Sequence, residues 1–232
     1  YVSDVAGSLF DPVEIPSQCS QNKRRKVVDV TLFNSELSML ELRLNELWNV
    51  VDIFFIVETT VRFKTDAPPK PLVLTEHWKD FEKFHSKMHL EVLEPQVSLH
   101  TPDAKLSTTD YSANFKIQLR QREVLWERLK QLNWTKQDLI IQADIDEIPR
   151  PHIIEEKACD TNVDRFNTPI CMKTLDGFYY YNYKCHIKNE WNSPKLLHYG
   201  DNYKQNCRAT INNASTHCSS CFATIDEYYA KS

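Results

Sequence analysis

Asp144, Asp146 and Glu147 place three carboxylates within four positions, directly after the apolar run Leu139-Ile140-Ile141. Like charges this close at the end of a buried segment repel one another and lose hydration, unless a cation or a set of donors compensates. Oxygen ligands at this density suit a hard divalent ion, Mg2+ or Mn2+, which commonly holds substrate phosphate as well. The plainer alternative is an acidic turn after a strand, with Glu147 and Pro149 opening the next helix.

Composition narrows what else the chain can do. Its 232 residues suffice for one large domain with a buried core. A content of 41% hydrophobic and 26% charged residues places it among ordinary globular domains. Glycine occurs only at Gly7, Gly177 and Gly200. Neither a dinucleotide-binding fingerprint nor a P-loop can be built from them, so any phosphate must be held by side chains, metal or helix N-termini. The net charge of -4 leaves no basic footprint for nucleic acid. The basic run Lys23-Arg24-Arg25-Lys26 reads as a solvated loop before the first strand. No apolar run approaches the length of a membrane-spanning helix, and no signal-peptide pattern is present. Seven cysteines accompany the sequons Asn133-Trp134-Thr135 and Asn213-Ala214-Ser215, a combination that leans toward the secretory pathway.

The elements that must position the acids follow from periodicity. Residues 1–26 are polar, with Pro12 and Pro16, and read as a leader or stem. Val27–Phe33 is a candidate buried strand, and Glu36–Trp48 repeats Leu37, Leu40, Leu44 and Leu47 at helical spacing, with Asn34 or Ser35 as cap. Asp52–Glu58 is a second buried strand, Glu76–Phe84 a short helix and Met88–Leu93 a third strand. Tyr111–Leu132 is a long helix with Leu119, Trp126, Leu129 and Leu132 expected on its inner side. The acidic strand comes next, then a helix over Pro151–Ala158 and an aromatic, strand-like region around Phe178-Tyr179-Tyr180-Tyr181. Alternating strands and helices with acids at the strand ends predict an α/β sheet whose ligands lie beyond its carboxyl edge, where Asn34, Glu58, Asp144 and Asp146 converge. The aromatic region reads as an antiparallel extension of that sheet.

Four separated segments then share one resemblance: Phe33–Leu47, Val50–Thr60, Pro69-Lys70-Pro71-Leu72 and Ile140–Pro149. In order and spacing they resemble glycosyltransferase family 17, the β-1,4-mannosyl-glycoprotein 4-β-N-acetylglucosaminyltransferases, from about Val27 to about Tyr229. The resemblance implies a GT-A-like nucleotide-sugar-binding sheet, UDP-GlcNAc as donor and a Mn2+ or Mg2+ cofactor. It also implies inverting transfer of N-acetylglucosamine to a mannose-containing N-glycan on a glycoprotein. The setting would be the lumen of the Golgi or another secretory membrane, held there by an anchor outside this chain. On this reading residues 27–232 are the catalytic domain, truncated at its C-terminus relative to family members.

With the resemblance, Asp146 is the leading metal ligand, and Asp144 binds the ion through water or contacts the ribose. Glu147 is a candidate catalytic carboxylate, or else a partner for the following helix N-terminus. Asp176 and Glu190 are open alternatives for the base. Glu58 is expected at the uracil or ribose, with pairing to Arg62 or Lys64 as the structural alternative. Asn34 and Glu36 either touch the donor or cap a helix. Arg122 suits a diphosphate bidentately, or is a solvated helix arginine. His217 is a further metal ligand or a donor to the diphosphate, or belongs to a zinc site with Cys207, Cys218 and Cys221, or is simply packed. The aromatic run Phe178–Tyr181 and Trp191 divide between a sugar platform and core packing. One departure stands out: the family segment reads like N-A-G-W-H, whereas this chain has Asn213-Ala214-Ser215-Thr216-His217. A catalytically weak or inactive glycan-binding paralogue of the same fold is therefore the competing expectation.

Overall fold

The apolar residues of 27–33 divide between two hydrophobic clusters on opposite faces, with Asp29 and Thr31 buried between Val27 and Phe33, and that division determines the layers of the molecule. Val28, Val30 and Leu32 pack with Val124, Leu125 and Leu129, while Val27 and Phe33 pack with Leu40, Leu44 and Leu47. A strand apolar on both faces must be covered on both, so helices lie above and below it. The structure is a computed structural model, and it describes residues 24–62, 68–93, 111–159, 170–176, 179–180, 183–184, 190–191, 194–198, 207 and 209–217. The predicted leader, residues 1–26, lies outside the described residues up to position 23.

The elements run β1 (Val27–Phe33), α1 (Leu37–Leu47), β2 (Ile53–Thr59), α2 (Val73–Glu76), a 3-10 helix (Trp78–Phe84), β3 (Met88–Leu93) and α3 (Tyr111–Leu129). Then come β4 (Leu139–Gln142), β5 (Glu147–Pro149), α4 (Pro151–Cys159), β6 (Ile170–Asp176), β7 (Tyr179–Tyr180), β8 (Tyr183–Lys184), β9 (Glu190–Trp191), β10 (Lys195–His198) and β11 (Ala209–His217). Nine strands form one sheet in the order β3-β2-β1-β4-β10-β6-β11-β5, with β9 also paired to β6. The strands β3, β2, β1 and β4 are mutually parallel. From β10 onward directions mix: β10 is antiparallel to β4 and β6, β11 is parallel to β6, and β5 is antiparallel to β11.

The order places β2 on one side of β1 and β4 on the other, so the chain reverses its direction of travel across the sheet at the β1–β4 pair. A crevice opens beyond the carboxyl ends of strands at such a switch point. It is the feature that positions the site.

Several sequence expectations need correction. The cap position of α1 is Glu36, with no side-chain capping bond, so neither Asn34 nor Ser35 serves as that cap. The helix expected over Glu76–Phe84 is split into α2 and the 3-10 helix. On α3 the inner face carries Ile117, Gln121, Val124, Leu125 and Leu129 at helical spacing, whereas Leu119 is 38% exposed. The sequence after Glu147 forms strand β5 before α4 begins, so Glu147 does not open a helix. The aromatic stretch yields a separate two-stranded sheet, β7 with β8, and the mixed directions around β6 and β11 replace a uniformly antiparallel extension. The sugar-platform and core readings of the side chains from Phe178 to Tyr181 and of Trp191 lie outside the described residues.

Candidate active site

The end of β1 delivers Leu32, and the chain leaving it delivers Asn34 and Glu36, to a cavity of about 140 Å³. The turn after β4 adds Asp144, Ile145, Asp146 and Glu147. From α3 come Gln118 and Arg122, one helical turn apart, and from the end of β11 comes His217. The cavity therefore sits at the switch point between β1 and β4.

The acidic turn has a defined internal geometry. Asp144 N–H donates to Glu147 Oε2 at 2.8 Å, and Glu147 N–H donates to the Asp144 carbonyl at 3.0 Å. The carboxylate expected to serve a following helix thus closes the turn that contains it. Arg122 Nη2 donates to Asp144 Oδ1 at 2.5 Å, which brings a guanidinium over the cavity and neutralises the more exposed acid. Asp146 is almost buried, and His217 Nε2 lies 3.9 Å from its Oδ2. Strand pairing is what brings the histidine there. In the β5–β11 register His217 is the partner of Glu147, with Thr216 opposite Ile148 and Ser215 opposite Pro149.

Beneath the turn lies Arg43 of α1, fully buried and bound to Asp29 of β1 through Nε at 2.7 Å and Nη2 at 2.6 Å. Its Nη1 donates to the carbonyls of Glu147 at 2.8 Å, Asp144 at 3.1 Å and Ile145 at 3.4 Å. Burial opposes its charge, yet Asp29, Glu147 and Asp146 together hold its pKa above the ordinary arginine value. A second cation lies near Arg122. Lys195, at the head of β10 and paired in register with Gln142 of β4, has its pKa lowered first by burial and then by Arg122.

Most of the residues singled out from sequence meet here: Asn34, Arg122, Asp144, Asp146, Glu147 and His217 all line the cavity. Glu58 does not. Its carboxylate accepts from Leu74 N–H at 2.8 Å, Thr75 N–H at 3.0 Å and Thr75 Oγ1 at 2.9 Å, and Lys70 Nζ stands 3.8 Å away. It binds the first turn of α2 with the Lys70 ammonium nearby, and Lys64 lies outside the described residues. Asp176 pairs in register with His217 across β6 and β11, and Glu190 with Leu175 across β9 and β6; the side chains of both acids lie outside the described residues.

Sequence reasoning missed Gln118, Lys195 and Arg43. Gln118 was findable, because it lies four positions before Arg122 on a helix. Nothing local marks Lys195 or Arg43, whose partners are distant in the chain.

The zinc reading fails at Cys207, which is disulfide-bonded to Cys171. In the altered segment, Ser215 occupies the position of the family glycine. It is buried, and its Oγ donates to the Met172 carbonyl at 2.9 Å. The preceding Asn213 takes the left-handed conformation, φ 52°, within the register shift between Ile211 and Ser215. The backbone there bulges out of the β6 ladder, and the serine is absorbed without an orphaned hydroxyl.

A sequence model of glycosyltransferase family 17 matches residues 13–232. The chain belongs to glycosyltransferase family 17. A search of curated proteins finds no match to it.

Family membership makes glycosyl transfer the chemistry to weigh against the cavity. Among the described residues no three His, Cys, Asp or Glu side chains form a set able to hold a metal by themselves. The donor types nevertheless fit Mg2+ or Mn2+ in its usual mode, where one or two carboxylates and substrate phosphates share the ion. Asp146 is such a carboxylate, with His217 beside it, and a bound diphosphate would have to complete the site. No helix among the described residues is long and apolar enough to cross a membrane.

Proposed function

We propose that this family 17 glycosyltransferase moves N-acetylglucosamine from UDP-GlcNAc to a mannose of a glycoprotein N-glycan, with inversion, on a GT-A-like sheet. The observation that carries the reading is the meeting of Asp144, Asp146, His217 and Arg122 in one cavity at the switch point of the parallel strands. At about 140 Å³ it is smaller than the roughly 300–1,000 Å³ of complete ligand pockets, and it suits the charged middle of a donor rather than the whole molecule. Asp146 and His217 would hold Mn2+ or Mg2+, which supplies charge neutralisation on the diphosphate.

The remaining work falls to the chain's own groups. Arg122 is planar and always charged, so it can leave Asp144 for a phosphate oxygen while Asp144 turns toward the ribose or a metal-bound water. Lys195 adds positive potential on the same side. As the sugar C1–O bond to the diphosphate breaks, its electrons go to the departing UDP, and the acceptor hydroxyl forms the new bond while losing its proton to a carboxylate. Glu147, Asp176 and Glu190 are the candidates for that base. Asn34 and Glu36 stand at the β1 side of the cavity, where they can position the nucleoside. The disulfide between Cys171 and Cys207 and the exposed sequon at Asn133 support a lumenal, secretory setting.

The test is incubation of the purified protein with UDP-GlcNAc, Mn2+ and a mannose-containing N-glycan, followed by mass spectrometry. Addition of one N-acetylhexosamine together with UDP release is the expected result. Failure to bind UDP-GlcNAc with or without metal would sink the donor reading. Binding of glycan without transfer or donor hydrolysis would favour the non-catalytic paralogue, a reading kept by the Ser215-Thr216 replacement in the segment leading to His217.

A further inference from the structure

Arg43 has two jobs in the geometry, and they point in opposite directions. Toward the sheet its Nε and Nη2 meet both oxygens of Asp29, a buried bidentate pair in the middle of β1. Toward the cavity its Nη1 reaches the carbonyls of Asp144, Ile145 and Glu147. A buried ion pair by itself is poor evidence of a stabilising role, since apolar residues of similar volume replace such pairs at little cost. What an apolar replacement could not do is satisfy three carbonyls of a turn that carries the acids of the site. Lysine could not do it either, because a single ammonium lacks the planar fork that spans a carboxylate and a row of carbonyls.

We propose that Arg43, oriented by Asp29, is a positioning residue for the acidic turn, holding the backbone at Asp144–Glu147 so that Asp146 and Asp144 present their carboxylates to the metal-diphosphate. The inference rests on the donor-site reading of the cavity for its functional half. Its structural half stands on the hydrogen bonds alone. The guanidinium touches neither donor nor metal in this scheme and acts through the turn, from the side opposite the ligand. The turn's own closure, Asp144 N–H to Glu147 Oε2, sets its internal shape, whereas Arg43 ties that shape to α1 and β1.

The experiment compares the wild type with the double variant Asp29→Leu/Arg43→Met, which removes both buried charges together and leaves the carbonyls without their donor. Amide hydrogen exchange is followed at Asp144 and Glu147 alongside thermal unfolding and UDP affinity at saturating Mn2+. The expected result is a protein that still unfolds cooperatively, with exchange at the turn about ten-fold faster or more. Affinity for UDP with Mn2+ should be lower by about ten- to a hundred-fold, the scale on which small misplacements of a site act. Arg43→Lys keeps a charge against Asp29 and serves where the double variant does not fold; the same local exchange and weakened affinity are expected of it. Turn exchange unchanged from wild type in a folded variant would overturn the proposal. A wild type that binds no UDP would sink the donor reading, and the exchange comparison would still decide whether Arg43 holds the turn.

Discussion

At the scale of single residues, two buried carboxylates that look alike in the sequence have opposite fates. Asp146 is nearly buried beside His217 at the cavity wall. Asp146→Asn keeps its shape and removes its charge, so the thermal midpoint should move little. UDP affinity in Mn2+ should fall by about ten- to a hundred-fold or more, as expected for loss of a metal contact. Titration calorimetry checks this, and equal affinities for variant and wild type would remove the assignment. Glu58 is fully buried and accepts three hydrogen bonds at the start of α2. Glu58→Ala should destabilise the fold by about 3–5 kcal/mol, because it leaves those donors and the Lys70 ammonium without their partner. The folded fraction should bind UDP as the wild type does. Chemical denaturation measured beside UDP titration separates the two effects.

At the scale of elements, the inner face of α3 decides how Arg122 and Gln118 reach the cavity. Residues 117, 121, 124, 125 and 129 point into the sheet, which turns position 119 outward and places positions 118 and 122 at the rim. Leu129→Ala should cost about 2–5 kcal/mol through the cavity it leaves. Leu119→Lys should change stability by no more than about 0.5 kcal/mol, as for other surface substitutions. Denaturation midpoints of the two variants check the assignment, and a large loss at Leu119 would reverse the helix face. The same helix shows how nearly the site could be read from sequence. Trp126, Leu129 and Leu132 do face the core as their spacing suggests, and only Leu119 was misassigned, because single apolar residues are common on exposed faces and burial alone distinguishes them.

At the scale of the whole molecule, the mixed half of the sheet is tied together by Cys171 and Cys207, 36 residues apart in sequence. Replacing both with alanine should lower stability by about 2–4 kcal/mol, since the crosslink restricts the unfolded chain. Comparison of denaturation midpoints is the check, and an unchanged midpoint would argue that the bond adds nothing. The surface is the other whole-molecule property. Asn133 is exposed in the connection between α3 and β4, and secretion from a eukaryotic host should leave it glycosylated. Glycopeptide mass spectrometry would show this, and an unmodified Asn133 in secreted protein would count against the lumenal setting.

Local chemistry in the chain was enough to place β1, β3 and the acids after β4, and to exclude glycine-based phosphate binding. Apolar periodicity and residue type act over a few positions, and both survive without knowledge of the partners. Four of the separated sequence segments also sufficed for the family resemblance. The convergence of those segments was decided elsewhere. Glu58 ends a parallel strand as Asp29 interrupts one, yet the first binds a helix start and the second holds Arg43. His217 comes to stand opposite Glu147 because β5 pairs with β11, a contact between residues about seventy positions apart that no local pattern encodes. Hydrogen-bond register and the burial of charge are properties of the assembled sheet, so they chose which carboxylates meet His217 and Arg122 and which lie buried elsewhere.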